Sequence, residues 1–101
     1  MTARLRGNIL TVNGQPRRLG RHETAMLWLL MCRPVVTVED CQTALWPDPE
    51  DMAETWLTVV NVTRCRLRHA LAGSGWEIKW GGRSRWSLER TEQQEDQRRV
   101  A

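Results

Sequence analysis

The sequence contains no phenylalanine and no tyrosine, so its six tryptophans are the only large aromatic side chains available for a core. Each tryptophan is therefore expected to anchor much of the packing around it. No stretch approaches the roughly 20 apolar residues that cross a bilayer, and the opening MTARLRGNIL lacks the apolar segment of a secretory signal. These absences predict a cytoplasmic protein without a membrane segment.

Cysteine is scarce, and Cys32, Cys41 and Cys65 form an odd set without a Cys-x-x-Cys pair. The spacing favours neither a disulfide framework nor a zinc ribbon, so we expect reduced thiols. Cys65 and His69 stand four residues apart, a spacing that can bind metal, but two ligands without further partners rarely suffice for zinc. No serine or cysteine is placed to form a recognisable nucleophilic pair with a histidine. The sequence therefore predicts no cofactor, no metal and no enzymatic activity.

A length of 101 residues predicts one domain with one modest core. The net charge of +3 is too small to indicate a polyanionic partner, but the charge is segregated along the chain. Residues 4–33 hold six arginines against one acid, and residues 39–54 hold six acids and no basic residue. Residues 55–90 return to seven basic residues against two acids. Residues 55–90 therefore form the basic half of the chain.

Turn and cap signals predict the first elements. An Asn13-Gly14 turn between β-branched residues predicts a short amino-terminal hairpin over residues 8–19. Helical spacing of apolar residues begins at Arg21 and stops at Pro34, which has no amide donor. Thr37, with Asp40 three residues later, predicts the start of a second helix that ends at Trp46.

The remaining elements follow the acidic loop. A long helix is predicted over about residues 52–72, with Gly73 as its terminator. Alternating residues around Gly81-Gly82 predict a second hairpin over 76–88. We therefore expect an α+β domain over residues 1–90, and a polar, flexible tail over 91–101.

Two helices joined by a short turn, a third arginine-rich helix and a terminal hairpin are the parts of a winged helix-turn-helix. Over roughly residues 8–89 the chain resembles the effector domain of OmpR/PhoB-type response regulators. The resemblance rests on Leu19, Glu23, Leu27, Leu29-Leu30, Arg33-Pro34-Val35-Val36-Thr37, Ala44-Leu45-Trp46, Arg66-Leu67-Arg68 and Leu71. It implies a bacterial or phage transcription regulator that binds double-stranded DNA, with the third helix in the major groove and the hairpin as a wing on the backbone or minor groove. The resemblance also suggests RNA polymerase as a further partner, and a homodimer of this chain on the DNA.

The predicted DNA-binding residues lie on the third helix, on the wing and at the start of the second helix. At about 100° per residue, Thr58, Asn61, Val62, Cys65 and His69 face away from the apolar stripe, and Arg66 and Arg68 flank them. Arginine pairs bidentately with guanine or clamps phosphate, and asparagine pairs with adenine. The predicted wing contacts are Lys79, Arg83, Ser84 and Arg85, and Thr37 is expected to offer its hydroxyl and the helix amides to a phosphate.

Each assignment has a structural alternative. Arginine on a helix is usually a solvated surface residue, and the tip of a hairpin is often solvated without binding a partner. Thr37 is equally well explained as an N-cap alone, and Trp46 as either pure core or a contact with the DNA backbone.

The chain also departs from the family that it resembles. Only about seven residues precede the first predicted strand, so the family's amino-terminal sheet should be abbreviated. No receiver domain fits in the chain, and Arg64 occupies a position that is apolar in the family, close to the predicted buried stripe. An alternative function is a protein-interaction winged helix that docks on RNA polymerase or another regulator through the acidic residues 48–54 or through exposed tryptophans.

Overall fold

A computed structural model of the protein describes residues 3–82 and 84–91. It shows an α+β fold with three helices and two small antiparallel sheets. The elements in chain order are β1 (Ala3–Arg6), β2 (Ile9–Val12), β3 (Gln15–Arg18), α1 (Arg21–Cys32), β4 (Val36–Thr37), α2 (Val38–Leu45), α3 (Trp56–Ala70), β5 (Trp76–Gly82) and β6 (Arg85–Arg90). No helix in this described part of the chain is long and apolar enough to cross a membrane.

The amino-terminal sheet has three strands in the order β1-β2-β3. The predicted hairpin is confirmed as β2 and β3, and strand β1 before it was not predicted. The predicted Asn13-Gly14 turn joins β2 to β3, and both residues have positive φ. The additional strand β1 pairs with β2 through a second tight turn, in which Gly7 has a φ of 59°. Only Ala3 and Leu5 of β1 face the core, and this alternation of apolar and polar residues is too short to indicate a strand.

The second sheet has the order β4-β6-β5. Its hairpin begins at Trp76 as predicted and continues to Arg90, two residues beyond the predicted end, and Gly81-Gly82 belong to β5 rather than to the turn. A bulge between Trp80 and Gly82 precedes the turn. The two-residue strand β4 was not predicted, because its pairing of Val36 with Trp86 depends on a distant segment. This pairing places the turn of the hairpin beside the start of α2.

The first two helices begin and end where the sequence indicates. The Gly20 amide donates to the Glu23 carboxylate at 2.7 Å at the start of α1, and the helix ends two residues before Pro34. At the start of α2 the Thr37 hydroxyl accepts from the Asp40 amide at 3.1 Å, and the Asp40 carboxylate accepts from the Thr37 amide at 3.0 Å. The predicted N-cap is confirmed, and both of its hydrogen bonds are formed.

The third helix begins at Trp56, so the expected start near residue 52 was wrong. Pro49–Asp51 form a separate 3-10 turn, and Met52 after it has extended backbone. The Met52 sulfur accepts a hydrogen bond from the side-chain Nε2 of Gln42 at 2.9 Å, which holds this segment against α2. At the other end α3 ends at Ala70, two residues before the predicted end, and Gly73 has the left-handed φ of 79° that was expected of it.

The core lies between the first sheet, the helices and β6. It is formed by Leu10, Val12, Leu19, Met26, Leu27, Leu30, Val36, Val38, Cys41, Leu45, Trp46, Val60, Leu67, Leu71 and Trp86. Trp46 is 6% exposed and packs edge-on against the His22 ring at 5.2 Å, which supports the core interpretation of this tryptophan. The predicted tail beyond residue 91 and Arg83 lie outside the described residues.

A clamp formed by the β2–β3 hairpin holds the carboxyl end of α3. The Arg17 guanidinium donates to the carbonyl oxygens of Ala70 and Ala72, the latter at 2.9 Å. The Asn13 side chain donates to the Gly73 carbonyl at 3.1 Å. Carbonyls at a helix end have no partner within the helix, so a guanidinium there satisfies them and opposes the negative end of the helix dipole.

Candidate nucleic-acid interface

Helix α3 combines a buried apolar face with a broad polar face. Val60, Thr63 and Leu67 are buried, and the Thr63 hydroxyl donates to the Val59 carbonyl at 2.7 Å, so its burial leaves no unsatisfied group. The helix contains no acidic residue. The opposite face presents the predicted contact residues Thr58, Asn61, Val62, Arg66, Arg68 and His69 to solvent, with Cys65 half-buried among them.

Arg66 lies on the flank of α3 that faces the start of α1. It lines an open groove together with Arg21, His22, Thr58 and Val62. Arg66 makes no ion pair within the described residues, so its guanidinium is available to an external anion. Glu23 also lines this groove, but its carboxylate caps the start of α1. Arg21 and His22 were not predicted as site residues, because their approach to α3 is tertiary.

Arg64 lies on the flank that faces the β5–β6 hairpin. Its guanidinium sits over the Trp86 ring at 5.5 Å from the ring centroid, within the range of cation–π attraction. The Arg64 Nε is buried and has no hydrogen-bond partner within the described chain. The basic side chain at a position expected to be apolar is therefore stacked on an aromatic ring rather than paired with an acid. Asn61 and Arg68 lie on this side of the helix by their angular position.

The hairpin presents its predicted basic residues unequally. The Lys79 ammonium lies 3.5 Å from the Glu77 carboxylate and 3.9 Å from that of Glu89, so nearby acids partly neutralise its charge. Arg85 is exposed near the turn. Trp80, which was not predicted as a site residue, is 70% exposed and pairs across the strands with Trp86.

The turn of the hairpin meets the start of α2. The Ser84 carbonyl accepts from the Val38 amide at 3.1 Å, and Arg85 pairs with Thr37 across the strands. Thr37 is half-buried, and its hydroxyl and amide are both used by the N-cap. The pKa of Asp40 is lowered, first by the hydrogen bond from the Thr37 amide, so a carboxylate charge stands at this helix start. This environment favours the N-cap role of Thr37 over a phosphate contact.

Apart from Lys79, and from Arg83 outside the described residues, the predicted residues thus form two clusters. One cluster is the exposed face of α3 with its arginine flanks, and the other joins Thr37, Ser84 and Arg85 at the hairpin turn. Cys65 and His69 lack a third ligand, because no group of three or more metal-binding side chains occurs in residues 3–82 and 84–91. The sequence matches no known protein-family model and no curated protein.

Proposed function

We propose that this chain is a winged helix-turn-helix protein that binds double-stranded DNA in a sequence-specific manner and regulates transcription. Helix α3 enters the major groove, and the β5–β6 hairpin acts as the wing on the backbone or minor groove. The protein is a binding module and carries out no catalysis.

One observation carries this proposal: the exposed face of a 15-residue helix holds arginines on both flanks and no acid. A phosphate backbone repels carboxylates and attracts guanidinium groups, so such a face suits the major groove. The Arg64–Trp86 contact joins one flank of α3 to the hairpin, so the two elements lie side by side on the surface that would face the DNA.

The exposed side chains have distinct roles in the proposed complex. Arg66 and Arg68 pair with guanine or clamp phosphates, and Asn61 pairs with adenine. Val62 is 43% exposed and offers an apolar surface to a thymine methyl group. Lys79 contributes less than Arg85, because two carboxylates already surround its ammonium group.

The test is selection of bound sequences from a random duplex DNA pool at near-physiological salt. The wild-type chain is compared with the Arg66→Ala, Arg68→Ala double variant. A second double variant, Arg6→Ala, Arg18→Ala, loses the same charge from exposed positions on the amino-terminal sheet and serves as the matched control. The spacing of any enriched half-sites reports whether two copies bind together.

We expect an enriched motif for the wild type and the control, and its loss in the α3 variant. Each lost bidentate base contact should cost about 1–3 kcal/mol, and each lost phosphate contact should reduce the salt-dependence slope by about 0.9. Equal enrichment with the α3 variant, or no enrichment with any chain, would refute the assignment of α3 as the reading helix.

A second candidate function is supported by the acidic segment between α2 and α3. Asp48, Glu50, Asp51 and Glu54 are exposed, and none makes an ion pair within the described residues. The Asp48 carboxylate accepts from the Glu50 amide at 3.0 Å, which orders the 3-10 turn. Such a segment suits docking on RNA polymerase or another regulator. Charge reversal in this segment, with DNA binding intact, would then abolish regulation.

A further inference from the structure

An apolar groove runs along the edge of the amino-terminal sheet. It has an open volume of about 520 Å³ and lies between β1, the carboxyl-terminal half of α1 and the second sheet. Its lining is mainly aliphatic and aromatic, with Leu5, Leu27, Met31, Trp76 and Leu88 as examples. It shares no lining residue with the groove beside Arg66. This surface is therefore separate from the proposed DNA interface.

Strand β1 forms one wall of this groove and is an edge strand. It pairs with β2 on one side, and no other described strand pairs with it. In an antiparallel ladder every second residue directs its amide and carbonyl away from its partner, so the free side of β1 offers a row of hydrogen-bonding groups. Three consecutive residues of β1, Ala3, Arg4 and Leu5, line the groove. The unpaired edge of β1 therefore lies beside the apolar residues that line the groove.

The outer face of the same sheet is basic. Arg4 and Arg6 on β1 share this face with Arg18, which lies across from Arg6 through Ile9. A second depression beside the groove is lined by Arg4, Arg6 and residues of β2 and the second sheet, and its described lining contains no carboxylate. An added strand next to β1 would therefore direct alternate side chains to an apolar floor and to an arginine surface.

We propose that β1 docks an extended segment of a partner protein in which apolar and acidic residues alternate. The segment adds a strand to the sheet through backbone hydrogen bonds with β1. Its apolar side chains enter the groove, and its carboxylates lie beside Arg4 and Arg6. The required pattern follows from the pleat, because successive side chains of a strand point to opposite faces.

Two other occupants fit this surface less well. The chain's own residues 92–101 contain one large aliphatic residue, Val100, so they cannot supply apolar side chains at alternate positions. A second copy that pairs through β1 would bring four arginines together on one face, since each strand contributes Arg4 and Arg6. Like charges placed opposite each other destabilise strand pairing.

The test uses a fluorescein-labelled, end-blocked peptide of eight residues that alternates glutamate and valine, with the full chain. One control peptide carries lysine in place of glutamate, and another has the same composition with its valines consecutive. Two further peptides are N-methylated at alternate residues, in the two complementary registers. Anisotropy measures affinity, and amide chemical shifts of isotope-labelled protein locate the contact.

We expect the alternating acidic peptide to bind and to shift the amides of residues 3–6. Both control peptides should bind at least about tenfold more weakly, a change of about 1.4 kcal/mol. N-methylation should abolish binding in only one of the two registers, since only one set of peptide amides faces β1. The Arg4→Glu, Arg6→Glu variant should prefer the lysine peptide, whereas Arg66→Glu, Arg68→Glu should keep the wild-type preference.

Several results would overturn the proposal. Failure of the acidic peptide to bind, equal loss in both N-methylated registers, or the same preference in all variants would exclude strand addition at β1. Binding that appears only after removal of residues 92–101 would assign the groove to the chain's own tail. A dimer in sedimentation experiments that the peptide dissociates would assign it to a second copy.

Discussion

Replacement of Thr37 by alanine separates the two roles that the sequence allows for this residue. The substitution removes the hydroxyl that accepts from the Asp40 amide at the start of α2. It leaves the backbone amide of residue 37 in place, so the reciprocal bond to the Asp40 carboxylate can persist. The perturbation is therefore the loss of one capping hydrogen bond at a half-buried site.

The expected cost follows from the geometry of this helix start. Replacement of a threonine N-cap by alanine destabilises proteins by about 1 kcal/mol, within a range of roughly 0.5–2. Helix α2 has only eight residues, and the Thr37 hydroxyl is the side-chain group that accepts from its Asp40 amide. In a domain of this size, 1 kcal/mol corresponds to a decrease in Tm of about 4–8 °C.

Urea unfolding monitored by circular dichroism measures the change, and Thr37→Ser, which retains the hydroxyl, is the matched control. We expect the serine variant to remain near wild type, and both variants to bind DNA like the wild type under conditions in which the chains are folded. A Thr37→Ala variant with unchanged stability would refute the capping argument. Weaker DNA binding with unchanged stability would instead support a phosphate contact.

Three further predictions concern the clamp, the thiols and the response to acid. Arg17→Ala should lower the free energy of unfolding by about 1.5–3 kcal/mol in urea titrations, because carbonyls at the end of α3 lose a charged donor; a change below about 0.5 kcal/mol would contradict this. Burial raises the pKa of Cys41 to about 12, so its thiol should stay protonated at about pH 8 while the protein is folded. Mass spectrometry after alkylation at that pH should find the exposed Cys32 modified and Cys41 intact until the protein unfolds. The Thr37 amide lowers the pKa of Asp40 from 3.8, so the carboxylate stabilises the fold above that value and this contribution is lost as the pH falls through the lowered pKa. Asp40→Asn should accordingly be less stable than wild type at neutral pH and approach it in acid; an equal difference at every pH would exclude the linkage.

Much of the fold was predictable because local chemistry determines it. Pro34 and the N-cap at Thr37 set helix ends through the chemistry of a few neighbouring residues, and these boundaries were predicted correctly. Gly73 has the expected positive φ, although α3 ends at Ala70. Strands β1 and β4 were missed because they are short and their pairing energy comes from other segments. The early start assigned to α3 failed for a related reason, since Met52 is held extended by Gln42 of another helix.

The candidate site shows the same division between local and tertiary information. The exposed face of α3 could be predicted from helical periodicity, because a rotation of about 100° per residue determines which side chains share a face. The pairing of Lys79 with Glu89 depends on strand register, and the stacking of Arg64 on Trp86 depends on how the hairpin packs. No local pattern encodes these contacts, so the sequence could not distinguish a free cation from an engaged one.

The clamp on α3 also has a kinetic consequence. Arg17 and Ala72 are separated by 55 residues, and Asn13 and Gly73 by 60, so these bonds close a loop that spans more than half of the chain. Loop closure on this scale costs chain entropy before any contact compensates for it, and such non-local contacts slow folding. During synthesis Arg17 and Asn13 of the β2–β3 hairpin therefore cannot reach their acceptors until α3 has left the ribosome.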